Sequence, residues 1–407
     1  MKPFFSNLLL LLLVLSGTMP QAQVFTNYTT ASGLPSDNVT SVAVDTNNVK
    51  WFGTQGGIAR FNDLTWTTYT IANGLVDNYI NCIAVDIHNN VWVGTDVGIS
   101  KFDGSIWTSY TTANGLVNNS VNYIAGSPDG SVWIGTNNGA SNFDGTTWKN
   151  YTMTSGLPNN LISYIACDKV GNTWLGTFIG GLSKFNGTTF SNFTMTDSLV
   201  SNNISALAID HHNKKWIGSY EASYEGISLL DSLDHWVANY RSMDGLLSPY
   251  VQDISFNSKD ILWTTIYDVY KQDGGVAWHY GSAWKTLTTA DGLVNKLVKR
   301  LAVDKNDYVW ITTGSGVSKL YFPNAGVVGI ADQPFRVFPN PATTEIHIDG
   351  LTSAGNLHIL NFVGREVSSQ NLEKGSNTIG LQGFSPGIYL LRYTTGQDNF
   401  SGKLVIR

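Results

Sequence analysis

Apolar and polar positions recur along this chain in step with seven tryptophans, which follow one another at intervals of 41, 41, 41, 42, 47 and 47 residues. Each tryptophan is preceded by a run of apolar residues and a short polar turn, and is followed by a second apolar segment of strand length. The seven are Trp51, Trp92, Trp133, Trp174, Trp216, Trp263 and Trp310. A repeat of this length, rich in strand-forming residues, predicts a β-propeller in which each period supplies one blade.

The innermost strand of each unit, strand A, is predicted from columns of branched apolar residues twelve and nine positions before the tryptophan. Such a continuous apolar run fits a strand that neighbouring blades cover on both faces. Strand A ends at a residue whose side chain we expect to bond the backbone of the following turn rather than a metal. These residues are Asp45, Asp86, Ser127, Asp168, Asp210, Asn257 and Asp304.

Strand B contains the tryptophan, strand C follows a glycine-containing turn, and strand D begins at an aromatic residue. Seven A–B–C sets are present, but only six D strands follow them: those starting at Trp66, Trp107, Trp148, Phe190, Trp236 and Trp284. A seventh D-type segment, Phe25–Thr29, stands alone, and Phe25 precedes Trp51 by the 26 residues that separate most D strands from the next tryptophan. We therefore predict an all-β, seven-bladed propeller whose N-terminal strand completes the last blade.

The repeated text resembles a known family. Segments such as WFGTQGGIARF, VWVGTDVGISKF and VWIGTNNGASNF, with Gly-Leu connections between units, resemble the two-component regulator propeller repeat over residues 23–322. The resemblance implies an extracytoplasmic propeller domain. The sensors in which this repeat is best known also carry a membrane helix and a kinase, and neither is visible in this sequence. Signal relay within one polypeptide is therefore not expected.

Both ends of the chain predict export. Residues 1–22 have the charged start, apolar run and small-residue end of a secretory signal peptide. Residues 323–334 are a linker of small residues, and 335–407 alternate as strands of a small antiparallel β-sandwich. The tail resembles the C-terminal sorting domain of the type IX secretion system of Bacteroidota, through Phe338-Pro339-Asn340-Pro341, Gly364-Arg365-Glu366, Gly387-Ile388-Tyr389 and Lys403–Arg407. It implies that residues 335–407 engage the type IX machinery and that the protein is extracellular or on the outer-membrane surface.

Composition excludes several classes of function. Charged residues make up 13% of the chain and the net charge is −6 without any basic run, so nucleic acid is not an expected partner. No later segment is apolar over the length of a transmembrane helix. Cys82 and Cys167 are predicted to be buried free thiols. The histidines form no metal triad, and no catalytic or cofactor-binding motif is present, so we expect no catalytic residue, metal or cofactor.

Two insertions indicate where a ligand would bind. The fifth and sixth units are longer than the others between strands B and C, at Tyr220–Gly226 and Tyr267–Gly274. Insertions on one face of a repeat array often mark its binding face, and tyrosines with few charges suit neutral sugars. The candidate ligand-binding residues are Tyr220, Glu221, Tyr224, Glu225, Tyr267, Asp268, Tyr270 and Asp273.

Three functions fit this sequence. The favoured one is a secreted or cell-surface binding module for a glycan or a protein ligand. A polysaccharide lyase or glycoside hydrolase would use the carboxylates of the insertions as a pair. A structural or adhesive surface protein would need neither loop.

Overall fold

The computed structural model describes residues 24–220, 226–280, 283–321, 336–351, 353–361, 365–395 and 399–407. The predicted signal peptide, residues 1–22, lies outside the described residues. The chain divides into two compact units, Met1–Tyr321 and Phe322–Arg407. Within the described residues, no helix is both long and apolar enough to span a membrane.

The first unit contains seven four-stranded antiparallel sheets, each built from consecutive strands except the last. Blade 1 comprises β2 (Val39–Val44), β3 (Lys50–Thr54), β4 (Gly57–Phe61) and β5 (Trp66–Tyr69), and blade 2 comprises β6 (Cys82–Val85), β7 (Val91–Gly94), β8 (Ile99–Phe102) and β9 (Trp107–Tyr110). Blade 3 comprises β10 (Val121–Gly126), β11 (Val132–Thr136), β12 (Gly139–Phe143) and β13 (Trp148–Tyr151), and blade 4 comprises β14 (Ile162–Cys167), β15 (Thr173–Thr177), β16 (Gly181–Phe185) and β17 (Phe190–Phe193). Blade 5 comprises β18 (Ile204–Ile209), β19 (Lys215–Ser219), β20 (Ile227–Leu230) and β21 (Trp236–Tyr240), and blade 6 comprises β22 (Val251–Phe256), β23 (Leu262–Asp268), β24 (Asp273–Tyr280) and β25 (Ala283–Leu287). Blade 7 comprises β26 (Val298–Val303), β27 (Val309–Thr313), β28 (Gly316–Tyr321) and β1 (Val24–Tyr28).

The N-terminal strand completes the seventh blade, as the sequence predicts. β1 pairs with β28 in antiparallel register from Phe25 opposite Leu320 to Tyr28 opposite Val317. Blade 7 also packs against blade 1, since β26 and β27 both contact β2. The all-β, seven-bladed propeller with its last blade shared between the two ends of the repeat region is therefore confirmed.

A buried bond explains the tryptophan of the repeat. In blade 4, Oδ1 of Asp168 accepts the N–H groups of Val170 and Asn172 at 3.1 and 2.8 Å, which confirms the predicted turn role. Its Oδ2 accepts the indole N–H of Trp174 at 3.0 Å, so the buried indole has a partner. The same indole–carboxylate bond occurs in every unit whose strand A ends at Asp: Asp45–Trp51, Asp86–Trp92, Asp168–Trp174, Asp210–Trp216 and Asp304–Trp310.

Each D strand leads to the next A strand through one turn of 3₁₀ helix and a buried leucine. The helices are Thr30–Ser32, Ile71–Asn73, Thr112–Asn114, Met153–Ser155, Met195–Asp197, Ser242–Asp244 and Thr289–Asp291. The helix in blade 2 ends at Gly115, whose φ of 114° disfavours any residue with a Cβ. A Cβ there would also lie 2.7 Å from the Trp148 ring of the next blade. This contact explains the glycine before the leucine.

The second unit is an antiparallel sandwich of two sheets, as predicted. One sheet has the order β29 (Arg336–Phe338), β30 (Glu345–Leu351) and β33 (Gly375–Gly380). The other has the order β32 (Glu366–Leu372), β31 (Gly355–Leu360), β34 (Gly387–Thr394) and β35 (Asn399–Ile406). Ile346 and Ile348 of the first sheet pack in one core with Leu357, Ile359 and Leu391 of the second.

Candidate functional site

One end of the propeller, here called the B–C mouth, is formed by the turns between strands B and C together with the D–A connections. Backbone hydrogen bonds join turn to connection within the same blade in at least five blades: Gln55 N–H to Asn38, Asn137 to Ser120, Phe178 to Leu161, Tyr220 to Asn203 and Tyr267 to Tyr250, at 3.0–3.2 Å. The blade 6 insertion and Tyr220, the first residue of the blade 5 insertion, therefore belong to this mouth.

The insertion of blade 6 lengthens a hairpin instead of forming an irregular loop. Tyr267 and Asp268 continue β23, and Asp273 and Gly274 begin β24 in register with them. Only 269–272 form the turn, which carries Tyr270 at 79% exposure. In blade 5, Tyr220 is half-buried, whereas Glu221, Tyr224 and Glu225 lie outside the described residues.

Three tyrosines from the two blades share one region of the mouth. The Tyr250 ring, in the connection before β22, lies 5.1 Å from that of Tyr220 and 5.9 Å from that of Tyr270, measured between centroids. Burial, and then the nearby Tyr270, Tyr267 and Asp268, raises the pKa of Tyr220. Tyr250 is 4% exposed, and its hydroxyl has no hydrogen-bond partner among the described residues. The rings of Tyr220 and Tyr270 thus both pack against the buried ring of Tyr250.

The carboxylates of the blade 6 hairpin are occupied by their own turn. Oδ1 of Asp268 accepts the backbone N–H groups of Tyr270 and Lys271 at 3.0 Å, and its Oδ2 accepts the Ser248 hydroxyl at 3.2 Å. Burial acts to raise the pKa of Asp268, but these hydrogen bonds outweigh it and hold the pKa below its ordinary value. Asp273 is exposed and accepts the N–H of Gly274 at 2.9 Å.

A ring of polar side chains surrounds the mouth, at the position eleven residues before each tryptophan. In blades 1 to 5 these side chains donate to a backbone carbonyl at or just before the start of strand A in the next blade, at 2.5–3.0 Å: Thr40 to Ile80, Asn81 to Val121, Asn122 to Ile162, Ser163 to Ile204 and Ser205 to Val251. Gln252 donates to Tyr267 in its own blade, and Lys299 to Asn38 of blade 1. The ring therefore joins neighbouring blades and presents amides and hydroxyls to the mouth.

A pocket of about 450 Å³ opens over blades 2 to 4 of this ring. Along its wall, Asn122 Nδ2 donates to Asn137 Oδ1 at 2.9 Å, Asn137 Nδ2 to Ser120 Oγ at 2.8 Å, and Ser120 Oγ to Asp96 Oδ1 at 3.0 Å. Asn81 Nδ2 donates to the same Asp96 oxygen at 2.9 Å. Asn81 and Asn122 form these hydrogen bonds through Nδ2, and their Oδ1 atoms receive no donor from any described residue. Tyr79, 44% exposed, stands at the pocket edge.

Beneath the pocket, a cavity of about 320 Å³ follows the propeller axis and holds a charged cluster. Asp253 is 4% exposed; its Oδ1 accepts the Tyr164 hydroxyl and its Oδ2 accepts the N–H of Leu301 at 2.8 Å. The Arg300 guanidinium carbon lies 5.0 Å from the Tyr164 ring centroid and 5.4 Å from that of Tyr123. The two tyrosine rings stack at 3.8 Å. The cluster thus bridges the axis from blades 3 and 4 to blades 6 and 7.

The cluster alters the ionisation of its members. Burial raises the pKa of Asp253, although Arg300 and the Tyr164 hydroxyl act in the opposite direction. Burial also raises the pKa of Tyr123 and Tyr164, with a further contribution from the charge of Asp253. For Arg300, burial opposes the charged form, but Asp253 and the tyrosines outweigh it and raise the pKa. The guanidinium therefore stays charged at every physiological pH.

Sequence reasoning missed this axial cluster, although a signal for it exists. The four residues occupy one column, ten positions before the tryptophan, which reads Ser41, Cys82, Tyr123, Tyr164, Ala206, Asp253 and Arg300. The flanking columns are uniformly polar on one side and uniformly apolar on the other. The residues ten positions before the tryptophan differ in chemistry from blade to blade, whereas the residues on either side of them keep one chemical type. This variation indicates that the position is not packed against a neighbouring blade, and in the structure it faces the propeller axis.

Other ionisable groups are accounted for structurally. Both cysteines are free thiols; Cys82 is buried as predicted, whereas Cys167 is only partly buried. His211 and His212 both lie against Asp260 of the adjacent blade. Within the described ranges, no three His, Cys, Asp or Glu side chains are grouped so as to hold a metal ion.

Comparisons with known proteins agree with the architecture. Residues 336–407 match the family described as the secretion system C-terminal sorting domain. Residues 74–97, 115–138 and 156–178, each running from a Gly-Leu connection or its equivalent into a B–C turn, match the two component regulator propeller family. No curated protein matches the sequence significantly.

Several solved structures share the fold. The extracellular domain of a putative hybrid two-component system from B. thetaiotaomicron aligns with a TM-score of 0.65 and 19% identity, over 94% of this chain and 57% of that one. PorZ, a surface component of the type IX secretion system of Porphyromonas gingivalis, aligns with a TM-score of 0.55 and 17% identity, over 95% and 58%. Virginiamycin B lyase from Staphylococcus aureus aligns with a TM-score of 0.58 and 14% identity, over 73% and 98%.

These identities show a shared fold, and the chain spans less than two thirds of the length of the first two proteins. The sorting domain indicates type IX export, which delivers the protein to the cell exterior or the outer-membrane surface. The chain therefore combines an all-β propeller, whose blades 2 to 4 match the two component regulator propeller family, with a secretion system C-terminal sorting domain at residues 336–407 that indicates export.

Proposed function

We propose that this protein is a surface-exposed or released binding module that recognises a hydroxyl-rich glycan at the B–C mouth. The observation that carries the proposal is the directed row of hydrogen bonds along the pocket wall, from Asn122 through Asn137 and Ser120 to Asp96. Such a row holds its side chains in one arrangement before a ligand arrives, which lowers the entropic cost of binding.

The polar groups left open in the pocket match a sugar. Asn81 and Asn122 each have an amide oxygen with no donor among the described residues, so they accept hydrogen bonds from hydroxyl groups. The Tyr79 hydroxyl is held by the Gln55 amide at 2.9 Å, which fixes an exposed ring at the pocket edge. An aromatic ring of this kind stacks on the apolar face of a sugar. The tyrosines of blades 5 and 6 give the mouth a second aromatic region.

The alternatives draw less support from the described residues. A lyase or hydrolase acting through the blade 6 carboxylates requires Asp268 to contact substrate, but its oxygens bond Ser248, Tyr270 and Lys271. The shared fold of virginiamycin B lyase carries no activity to this chain at 14% identity. A purely structural or adhesive role leaves the ordered pocket wall without a use.

A glycan-array screen of the full-length protein tests the proposal, with release of reducing ends measured on every glycan that binds. We expect binding without release. Asn137→Ala breaks the row at its centre and should weaken binding about tenfold, the effect of losing one or two hydrogen bonds. Asn306→Ala, in an exposed A–B turn at the opposite end of the ring, is the matched control and should bind normally.

The aromatic region is tested separately by the variant Tyr270→Ala, which should weaken binding without a change in melting temperature, because this ring is 79% exposed. The proposal is wrong if the array shows no glycan binding, or if Asn137→Ala and Asn306→Ala bind equally well. Release of reducing ends would establish the enzymatic alternative instead.

A further inference from the structure

Blade 7 differs from the other six at the two columns that face the mouth and the axis. Eleven and ten residues before the tryptophan, the other blades carry neutral pairs or, in blade 6, Gln252 and Asp253. Blade 7 carries Lys299 and Arg300, the only cationic residues in either column. Arg300 lines both the mouth pocket and the axial cavity, and its side chain is 23% exposed.

The Arg300 guanidinium donates only one hydrogen bond to the described residues. Its Nη1 donates to the carbonyl of Gln252 at 3.0 Å and lies 3.8 Å from Asp253 Oδ1, beyond hydrogen-bond distance. Asp253 cannot receive it in a two-pronged pair, because its oxygens already accept Tyr164, Ile254 and Leu301. A guanidinium has five N–H donors. Four of them therefore have no acceptor among the described residues, although the side chain is only 23% exposed.

We propose that Arg300 receives the carboxylate of an acidic sugar, so that the glycan bound at the B–C mouth contains hexuronic acid units. This inference rests on the proposed function and specifies its ligand. The planar guanidinium matches a carboxylate through two parallel hydrogen bonds, a geometry that a neutral hydroxyl does not fill. Lys299, whose ammonium group bonds Asn38, adds positive charge beside it.

The charges also orient the ligand. Asp96 lies in the same pocket as Arg300 and accepts Ser120 and Asn81 through Oδ1. A sugar carboxylate is repelled by Asp96 and attracted by Arg300, whereas sugar hydroxyls can donate to the second oxygen of Asp96. The acidic group therefore points to the axis and the hydroxyl groups to the wall of blades 2 and 3.

The test compares polysaccharides that differ only in this group. Oligosaccharides of polygalacturonate and of alginate are used beside the same preparations after chemical reduction of their carboxyl groups to primary alcohols. Affinity is measured by calorimetry with the full-length protein at low and at high salt. We expect at least one native preparation to bind at least ~10-fold more tightly than its reduced form, with a preference that shrinks at high salt.

Variants separate the role of Arg300 from the stability of the propeller. Arg300→Gln should bind native and reduced forms alike, and Lys305→Gln, on the A–B side of the same blade, should behave as wild type while changing the net charge equally. Because Arg300→Gln leaves Asp253 buried without its cation, the double variant Asp253→Asn/Arg300→Gln removes both charges and preserves shape. Melting temperatures show which of these two variants is folded, and the affinities of the folded variant for native and reduced oligosaccharides then test the role of Arg300.

Equal affinity of wild-type protein for native and reduced oligosaccharides overturns this inference while leaving glycan binding intact. Binding confined to neutral glycans on the array, still weakened by Asn137→Ala, does the same. Absence of any glycan binding overturns the proposed function and this inference together. A peptide with a free C-terminal carboxylate serves as a further probe, and binding of that peptide alone would replace the acidic sugar by a protein ligand.

Discussion

Replacing Tyr28 by alanine tests whether the N-terminal strand holds the seventh blade together. Tyr28 lies at the end of β1, and its ring centroid lies 5.7 Å from Trp310 and 5.5 Å from Phe61 and Trp66. β1 is the one strand of the propeller that joins its blade only through non-covalent contacts, since β28 belongs to the far end of the repeat region.

A matched position exists in blade 2. Tyr110 ends β9, and its ring lies 6.1 Å from Trp92, 5.5 Å from Phe143 and 5.8 Å from Trp148. Both tyrosines are half-buried, so each change to alanine should lower the free energy of unfolding by about 2 kcal/mol, less than the ~3–5 kcal/mol of a fully buried aromatic residue.

The two variants should differ in local opening. The contacts of Tyr28 contribute to the free energy that holds β1 against β28. A loss of about 2 kcal/mol in this free energy should raise the population with β1 detached about 30-fold. The loss at Tyr110 has no such effect, because β9 is tied by the chain at both ends. Urea unfolding measures the global change, and amide hydrogen exchange in β28 and in β8 measures the local one.

We expect equal global losses in the two variants, with faster exchange in β28 for Tyr28→Ala and no equivalent change in β8 for Tyr110→Ala. Unchanged exchange in β28, together with a normal global loss, would show that β1 opens only when the whole propeller unfolds. A Tyr28→Ala protein as stable as wild type would refute the closing role of the strand altogether.

Three further predictions concern other parts of the molecule. Burial opposes ionisation of Asp168, but hydrogen bonds from Asn172 and Trp174 hold its pKa below the ordinary value; its contribution is therefore full above the unfolded pKa and is lost as pH falls towards the folded one. Asp168→Asn should cost about 2 kcal/mol at pH 7 in urea unfolding and progressively less at acid pH, and a pH-independent difference would contradict this. Burial raises the pKa of Cys82 to about 12 and that of Cys167 to about 11, so at pH 8 the buried Cys82 should not react with a thiol reagent until the protein is unfolded, and the partly buried Cys167 should react slowly; rapid reaction of both thiols in the native protein would disprove the burial argument. A protein ending near Pro323 should keep the melting temperature and ligand binding of the propeller but stay in the periplasm of its host, and its appearance on the cell surface would contradict the role of the tail.

The regular parts of this structure were predictable because they repeat. The tryptophans and the turns equivalent to the one at Asp168 recur in the sequence, and the segment at Phe25 is the one D-type segment that lacks an A–B–C set before it. Counting therefore identifies these features without knowledge of tertiary contacts. Closure by β1 follows from the number of D strands alone. The sorting-domain segments are likewise legible, since several short motifs occur in a set order.

The candidate site was harder to predict from the sequence, because it depends on which residues differ between blades. Tyr123, Tyr164, Asp253 and Arg300 are far apart in sequence and meet only because one column of every blade faces the axis. The insertion at Tyr267 was visible as extra length, but length does not distinguish a loop from a longer hairpin. Hydrogen bonding of Asp268 within its own turn depends on a seven-residue β23, which no periodicity reports.

The order of strands along the chain has a consequence for biogenesis. β1 is synthesised first, and its partner β28 is the last strand of the propeller, 288 or more residues later. Closing a loop of that length is slow and must await the final blade. The sorting domain begins at residue 336, after the end of β28 at Tyr321, so a ribosome that stops anywhere within the repeats yields a chain with neither a closed ring nor a sorting domain. Every chain truncated within the repeats therefore lacks the sorting domain, and truncation alone keeps such chains from being transported across the outer membrane.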